Sequence, residues 1–226
     1  MVAPESNNLL AVCFDMDGVI VDSEPVHYEA DRRTMAAHGV EFTYENKKVN
    51  YIGRTVRDTM FELSEMHGIS DPEAVLQQRQ DLFVELTATD LKLRDGLREL
   101  LSELSDRGIP CALVTSGNRW YIDSVFERFG LSCFFKGMIT VEDVKAHKPL
   151  PDPYLAGAKL LGVPPELCLA VEDSVAGVAS AKAAGMYCVA APSEMTLDAD
   201  LSAADIRVES FHELDSARLD ALFGAK

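Results

Sequence analysis

The apolar run Leu9-Leu10-Ala11-Val12-Cys13-Phe14 passes directly into Asp15-Met16-Asp17-Gly18-Val19. A short apolar run closed by carboxylates and a glycine predicts a buried parallel strand whose last residues emerge from a sheet. Alternate residues of an extended segment share one side. Asp15 and Asp17 are therefore expected to face one cleft at the strand's carboxyl end, where open α/β sheets bind ligands. Two carboxylates this close repel each other unless a cation or proton lies between them. Taken alone, the same residues also fit a solvated acidic turn, so the rest of the chain has to decide.

Two further apolar runs end in polar residues. Cys111-Ala112-Leu113-Val114 passes into Thr115-Ser116-Gly117-Asn118, and Leu167-Cys168-Leu169-Ala170-Val171 into Glu172-Asp173-Ser174. Between them, Lys148 opens the loop Lys148-Pro149-Leu150-Pro151-Asp152-Pro153. From Asp95 onward, helical patterns over 96–107, 120–129, 153–161 and 175–184 alternate with strand-like runs over 110–114, 137–140, 167–171 and 187–190. That alternation predicts βα units on a parallel sheet with right-handed crossovers. Residues 24–90 interrupt it with helical patterns over 26–38, 56–67 and 72–86, Gly39 and Gly68 standing at helix stops.

This ordered set of four motifs resembles the haloacid dehalogenase superfamily of aspartate-nucleophile phosphohydrolases. It is most similar to the subgroup with a helical cap that includes beta-phosphoglucomutase and many sugar-phosphate phosphatases. The resemblance covers nearly the whole chain. It implies an α/β fold, a Rossmann-like parallel sheet core formed by residues 1–22 and 91–226, with an α-helical cap of residues 23–90 inserted after the first strand.

The resemblance also implies roles, residue by residue. Asp15 attacks phosphorus and forms an aspartyl-phosphate, splitting a difficult displacement into two steps. Asp17 protonates the leaving oxygen and later takes a proton from water. The implied cofactor is Mg²⁺, which favours oxygen ligands; it falls to Asp15, the backbone carbonyl of Asp17, Glu172 and Asp173. Many phosphatases of the superfamily carry glycine where this chain has Glu172, whereas the mutase subgroup has glutamate. Residues 172–174 would equally serve to cap the following helix.

Thr115, with Ser116, Gly117 and Asn118, would hold phosphate oxygens, although Thr115 also suits a cap for the next helix. Lys148 would neutralise the nucleophile and the transferring phosphoryl group. In the cap, His27, Arg54 (within Gly53-Arg54-Thr55) and Arg79 are the substrate-binding candidates, His27 with a hinge role as its alternative. Asp22 and Glu24 shape the hinge, and His147 has no role.

The expected activity is hydrolysis of a small phosphomonoester such as a sugar phosphate. The alternative is a sugar phosphomutase, and a non-catalytic phosphate-binding module ranks last because all four motifs are complete. The mutase has lysine and asparagine just after its second-strand motif. Here Gly117 is followed by Asn118-Arg119, a departure that favours the phosphatase.

A formal net charge of −16 argues against nucleic acid and anionic membranes as partners. It also requires a locally positive site if the substrate is an anionic ester. No apolar run approaches the ~20 residues needed to span a bilayer, and the stretch from Met1 to Asn8 lacks the features of a signal peptide. The expectation is a cytoplasmic protein, monomeric or weakly dimeric. Five cysteines without Cys-x-x-Cys spacing predict buried, reduced thiols at Cys13, Cys111, Cys168 and Cys188.

Overall fold

The structure, a computed structural model, describes residues 9–51 and 54–224. The N-terminal stretch and Gly53 singled out above lie outside the described residues. In chain order the first elements are β1 (Ala11–Phe14), β2 (Val21–Asp22), α1 (Glu24–Ala37), α2 (Tyr44–Asn50), α3 (Val56–Met66), α4 (Pro72–Thr89) and β3 (Lys92–Leu93). Then come α5 (Leu97–Asp106), β4 (Cys111–Val114), α6 (Arg119–Phe129), β5 (Phe135–Ile139), α7 (Asp152–Leu161) and β6 (Cys168–Glu172). The chain closes with α8 (Val175–Ala183), β7 (Tyr187–Ala190), β8 (Ile206–Arg207) and α9 (Ser216–Phe223).

Two compact units result, one taking the chain up to Val21 and from Leu93 onward, the other Asp22–Lys92. The borders read from sequence differ from these by one residue at the first crossing and two at the second. Both divisions fall inside two-residue strands, β2 and β3, which are too short to show any periodicity.

The first unit is built on a six-stranded parallel sheet in the order β5-β4-β1-β6-β7-β8. The chain runs outward through β4 and β5, then crosses back to lay β6, β7 and β8 on the other side of β1. Strand order therefore reverses at β1, and the reversal opens a crevice beyond the carboxyl ends of β1, β4 and β6. All four residues of β1 are buried, as a strand covered on both faces requires. Leu10, read as part of the run, is instead half exposed. The sequence pattern missed α2, a seven-residue helix of mainly polar side chains whose start is capped by Thr43 accepting from the Asn46 N–H. It also missed β8, two residues on the sheet's edge.

One face of the sheet packs on α7 and α8 through Cys13, Ala112, Val114, Tyr154, Ala158, Val178 and Ala181. Cys13, Cys111, Cys168 and Cys188 are buried free thiols. Burial pushes the Cys111 and Cys188 thiols up to about 12, which disables them as nucleophiles. In the second unit, Met35, Phe42, Met60, Leu63, Val75 and Leu76 form a separate core. No helix among the described residues is long and apolar enough to cross a membrane.

The contact of α7 with the sheet is close because residue 157 is glycine. A Cβ at Gly157 would lie 2.7 Å from Val114 Cγ2 and 3.0 Å from Cys13 Sγ. Gly157→Ala gains helix propensity but overpacks a buried seam, and the second effect is expected to win by about 1 kcal/mol. Urea unfolding checks this, with a lower midpoint at unchanged slope as the expected outcome.

Candidate functional site

The register of the sheet builds the site. Phe14 stands opposite Leu113 on β4 and Val171 on β6, so the next residues of all three strands emerge together. The Asp15 N–H still donates to the Val171 carbonyl at 3.0 Å, which ties its backbone to the end of β6. Lys148 reaches into the same place. Its Nζ lies 2.6 Å from Asp15 Oδ1, 2.5 Å from Glu172 Oε1 and 3.1 Å from the Val114 carbonyl oxygen.

Glu172 is fully buried and has many donors. Its Oε1 also accepts from the Tyr154 hydroxyl at 2.7 Å, and its Oε2 from the Asp173 N–H, the Ser174 N–H and the Ser174 hydroxyl. Ser174 is also the N-cap of α8, accepting from the Gly177 N–H at 3.0 Å. Capping and the site's chemistry therefore coexist in this segment. Asp173 Oδ2 accepts from Ser193 at 3.0 Å and Thr196 at 3.3 Å. Arg94 donates to the carbonyl oxygens of Gly18 and Pro192, joining the loops on either side of Asp173.

Two glycines allow the acids to sit this close. Gly18 has φ +80°, and a Cβ there would be 1.9 Å from Asp173 Oδ2. A Cβ on Gly177 would fall 1.9 Å from the Glu172 carboxyl carbon.

Asp15, Glu172 and Asp173 each offer a carboxylate oxygen, all within 4.8 Å of one another. Burial pushes the Asp15 carboxyl well above its usual range; Glu172 and Asp173 add to this and Lys148 opposes it. Burial, followed by Glu172, raises Asp173 to about 7. Burial alone would lower Lys148, but its contacts with Asp15 and Glu172 prevail and raise it. The lysine therefore stays charged, and one ammonium faces three carboxylates. An all-oxygen donor set short of two positive charges fits a hard divalent cation. Asp15 and Asp173 offer it the more open oxygens, since Glu172 already accepts from five donors.

The side chain of Asp17 lies close enough for its charge to help raise Asp173, and its Oδ1 accepts from the Tyr121 hydroxyl at 3.0 Å. Thr115 is buried, and its hydroxyl oxygen accepts from the Gly117 N–H at 2.9 Å. It does not cap α6, whose N-cap position is Asn118. Ser116 and Asn118 are exposed on the same loop.

The remaining candidates belong to the second unit. Arg79 is buried, its Nε 2.8 Å from Asp31 Oδ1 and its Nη2 donating to His27 Nδ1 at 2.7 Å. Accepting at Nδ1 leaves the His27 proton on Nε2. Burial, then Arg79 and Lys47, push the ring's pKa well down, so it is neutral. His27 also stacks on Phe83, with centroids 4.3 Å apart. Lys47 is buried 3.0 Å from Asp31 Oδ2, and Arg54 pairs with Glu62 at 2.5 Å. His27, Asp31, Lys47, Arg54 and Arg79 line a cavity of about 170 Å³.

Sequence reasoning missed Tyr121, Tyr154, Ser193, Arg94, Asp31 and Lys47. Each meets its partner through tertiary packing, and none sits in a motif that marks it.

A family model for the haloacid dehalogenase-like hydrolases matches residues 9–185. Protein CbbY of Rhodobacter capsulatus is 33% identical over 210 residues, covering 88% of this chain and 92% of that protein. Hexitol phosphatase B of Escherichia coli (strain K12) is 30% identical over 215 residues, covering 93% and 96%. Among solved structures, a mutant of CbbY from Rhodobacter sphaeroides in complex with xylulose-1,5-bisphosphate superposes with a TM-score of 0.77 at 27% identity, covering 91% of this chain and 96% of that one.

The close approach at Gly18 yields a direct expectation. Gly18→Ala places a methyl group on the Asp173 carboxylate and strains a left-handed backbone. The expected loss is about 2–4 kcal/mol of stability, read from urea unfolding.

Proposed function

The chain belongs to the haloacid dehalogenase-like hydrolases, and we propose that it is a Mg²⁺-dependent phosphatase of small sugar phosphates acting through an aspartyl-phosphate. The observation that carries this reading is Lys148 bridging Asp15 and Glu172 beside the Thr115 loop. A carboxylate held against an ammonium at the end of a buried strand is positioned to attack an anionic centre that would otherwise repel it.

In the first step an Asp15 oxygen forms a bond to phosphorus. The ester P–O bond breaks, and the leaving oxygen takes the proton of Asp17. In the second step water attacks phosphorus and gives its proton to Asp17. The bond from phosphorus to Asp15 then breaks, releasing inorganic phosphate. Lys148 screens the charge that Asp15 and the phosphoryl oxygens share. Thr115, Ser116 and Asn118 would supply hydroxyl and N–H groups to those oxygens, while the Gly117 N–H, held by the Thr115 hydroxyl oxygen, leaves the Thr115 proton free to point at them. Asp15 and Asp173, with the Asp17 carbonyl and the charge of Glu172, would hold Mg²⁺, which supplies Lewis-acid stabilisation of the transferring group. In the second unit Arg54 and His27 are the residues we assign to substrate; Arg79 is committed to Asp31 and His27.

A sugar phosphate as substrate is supported by a relative that is a hexitol phosphatase and by a structural neighbour solved with a sugar bisphosphate. Asp15→Asn is expected to abolish phosphate release with an unchanged circular dichroism spectrum; wild-type turnover in that variant would refute the covalent mechanism. With a sugar 1-phosphate, wild-type enzyme should release inorganic phosphate steadily without a bisphosphate activator. Accumulation of an isomerised sugar phosphate with negligible free phosphate would instead identify a mutase.

The acidic cluster also fixes a pH dependence. Asp173 in the metal-free fold titrates near 7, above the ordinary 3.8. Between those values the folded state binds more protons than the unfolded one, so the metal-free protein loses stability as pH rises through this window. Mg²⁺ needs the deprotonated carboxylates, so its stabilising effect grows over the same window. Thermal unfolding with EDTA and with Mg²⁺ is therefore expected to diverge between about pH 4 and 7. Curves that stay parallel would contradict a metal held by Asp173.

A further inference from the structure

Tyr121 has no place in the four motifs, yet it meets one of their residues directly. It lies in the first turn of α6, three residues beyond Asn118, with its ring buried. Its hydroxyl donates to Asp17 Oδ1 at 3.0 Å. Its ring packs beside position 117. A Cβ on Gly117 would lie 3.3 Å from Thr115 Oγ1 and 3.5 Å from Tyr121 Cδ1. The ring therefore lies in ordinary van der Waals contact with the loop at position 117.

The backbone of Asp17 is already fixed. It bridges to Val21, and the neighbouring Gly18 N–H donates to the Val21 carbonyl at 2.8 Å. The direction of the carboxylate is set by two side-chain torsions, and a proton donor is effective only when its oxygen is aimed at the reacting atom. A phenol is suited to aiming it, because packing fixes the ring and thereby the hydroxyl. Resting on the phosphatase reading above, we infer that Tyr121 is a positioning residue that orients the Asp17 carboxylate for both of its proton transfers. Engaging Oδ1 directs the exchanged proton to Oδ2. That oxygen gives its proton to the leaving group as the ester bond breaks, and takes one from water as the bond to Asp15 breaks.

The two steps can be separated with p-nitrophenyl phosphate, whose leaving group departs without a proton. Phosphorylation of Asp15 by this ester bypasses Asp17, whereas hydrolysis of the phosphoenzyme does not. Rapid mixing of Tyr121→Phe with p-nitrophenyl phosphate and Mg²⁺ is expected to give a nitrophenolate burst at the wild-type rate. The steady phase that follows should be slower by about 10- to 100-fold. On a sugar phosphate, where both steps need Asp17, kcat should fall by a similar factor while the apparent Mg²⁺ affinity is unchanged. Both phases come from the same active molecules, so partial unfolding would shrink them together without changing their ratio of rates. A steady phase at the wild-type rate, or equal slowing of burst and steady phase, would overturn the role of Tyr121. Turnover retained by Asp15→Asn would instead remove the phosphatase reading on which that role rests.

Discussion

Lys148 meets three adjacent strands at once: Asp15 at the end of β1, the Val114 carbonyl at the end of β4 and Glu172 at the end of β6. Its ammonium lets two buried carboxylates sit at the switch point of the sheet. Removing one member of such a set leaves an uncompensated buried charge, which typically costs about 3–5 kcal/mol. The neighbouring groups serve the same arrangement. Tyr154 donates to Glu172 from α7, while Ser193 and Thr196 donate to Asp173 from the loop after β7. Arg94 links the Gly18 turn to that loop through two carbonyls. The acids are therefore held by elements far apart in sequence, and their geometry is a property of the folded sheet.

Close packing around these acids explains why small residues recur. Gly18 and Gly177 leave the space that the Asp173 and Glu172 carboxylates occupy, and Gly157 lets α7 bring Tyr154 up to Glu172. α7 and α8 carry several small side chains. In the structure they set how near the helices lie to the sheet, and so which polar groups reach its carboxyl end.

How much could be read beforehand follows from where each signal resides. Asp15, Thr115, Lys148 and Asp173 sit at the ends of apolar runs or in a distinctive loop, so local pattern and family resemblance both point to them. Parallel strands are legible for the same reason, since a strand buried on both faces must be a continuous apolar run. Tyr121, Tyr154 and Ser193 carry no such mark; each lies inside an ordinary helix or loop and gains meaning only from a partner 18 to 104 residues away. The Asp31, Lys47 and Arg79 network of the second unit was invisible in the same way. Lys47 in a polar heptapeptide reads as solvated, yet it is buried beside Asp31, which Arg79 also engages. Arg79, a substrate-binding candidate from sequence, lines the cavity of the second unit with its guanidinium against Asp31 and His27.

The overall charge of −16 poses one last question, which is how this chain could bind an anionic ester. Arg54 does not help much by itself, since Glu62 neutralises it, and Lys47 and Arg79 share Asp31 with Glu24 near the lysine. The sheet's carboxyl end is worse placed, with one lysine against Asp15, Glu172 and Asp173. In metal-free protein at neutral pH, a phosphate dianion arriving there would meet net negative charge at short range in a poorly screened site. A divalent cation cancels that excess. On the proposed reading, metal and substrate therefore bind with positive coupling, each raising the affinity for the other by the same factor. On that reading the cation would do more than speed the chemical step: it would make the site habitable for phosphate, with the buried carboxylates retaining it.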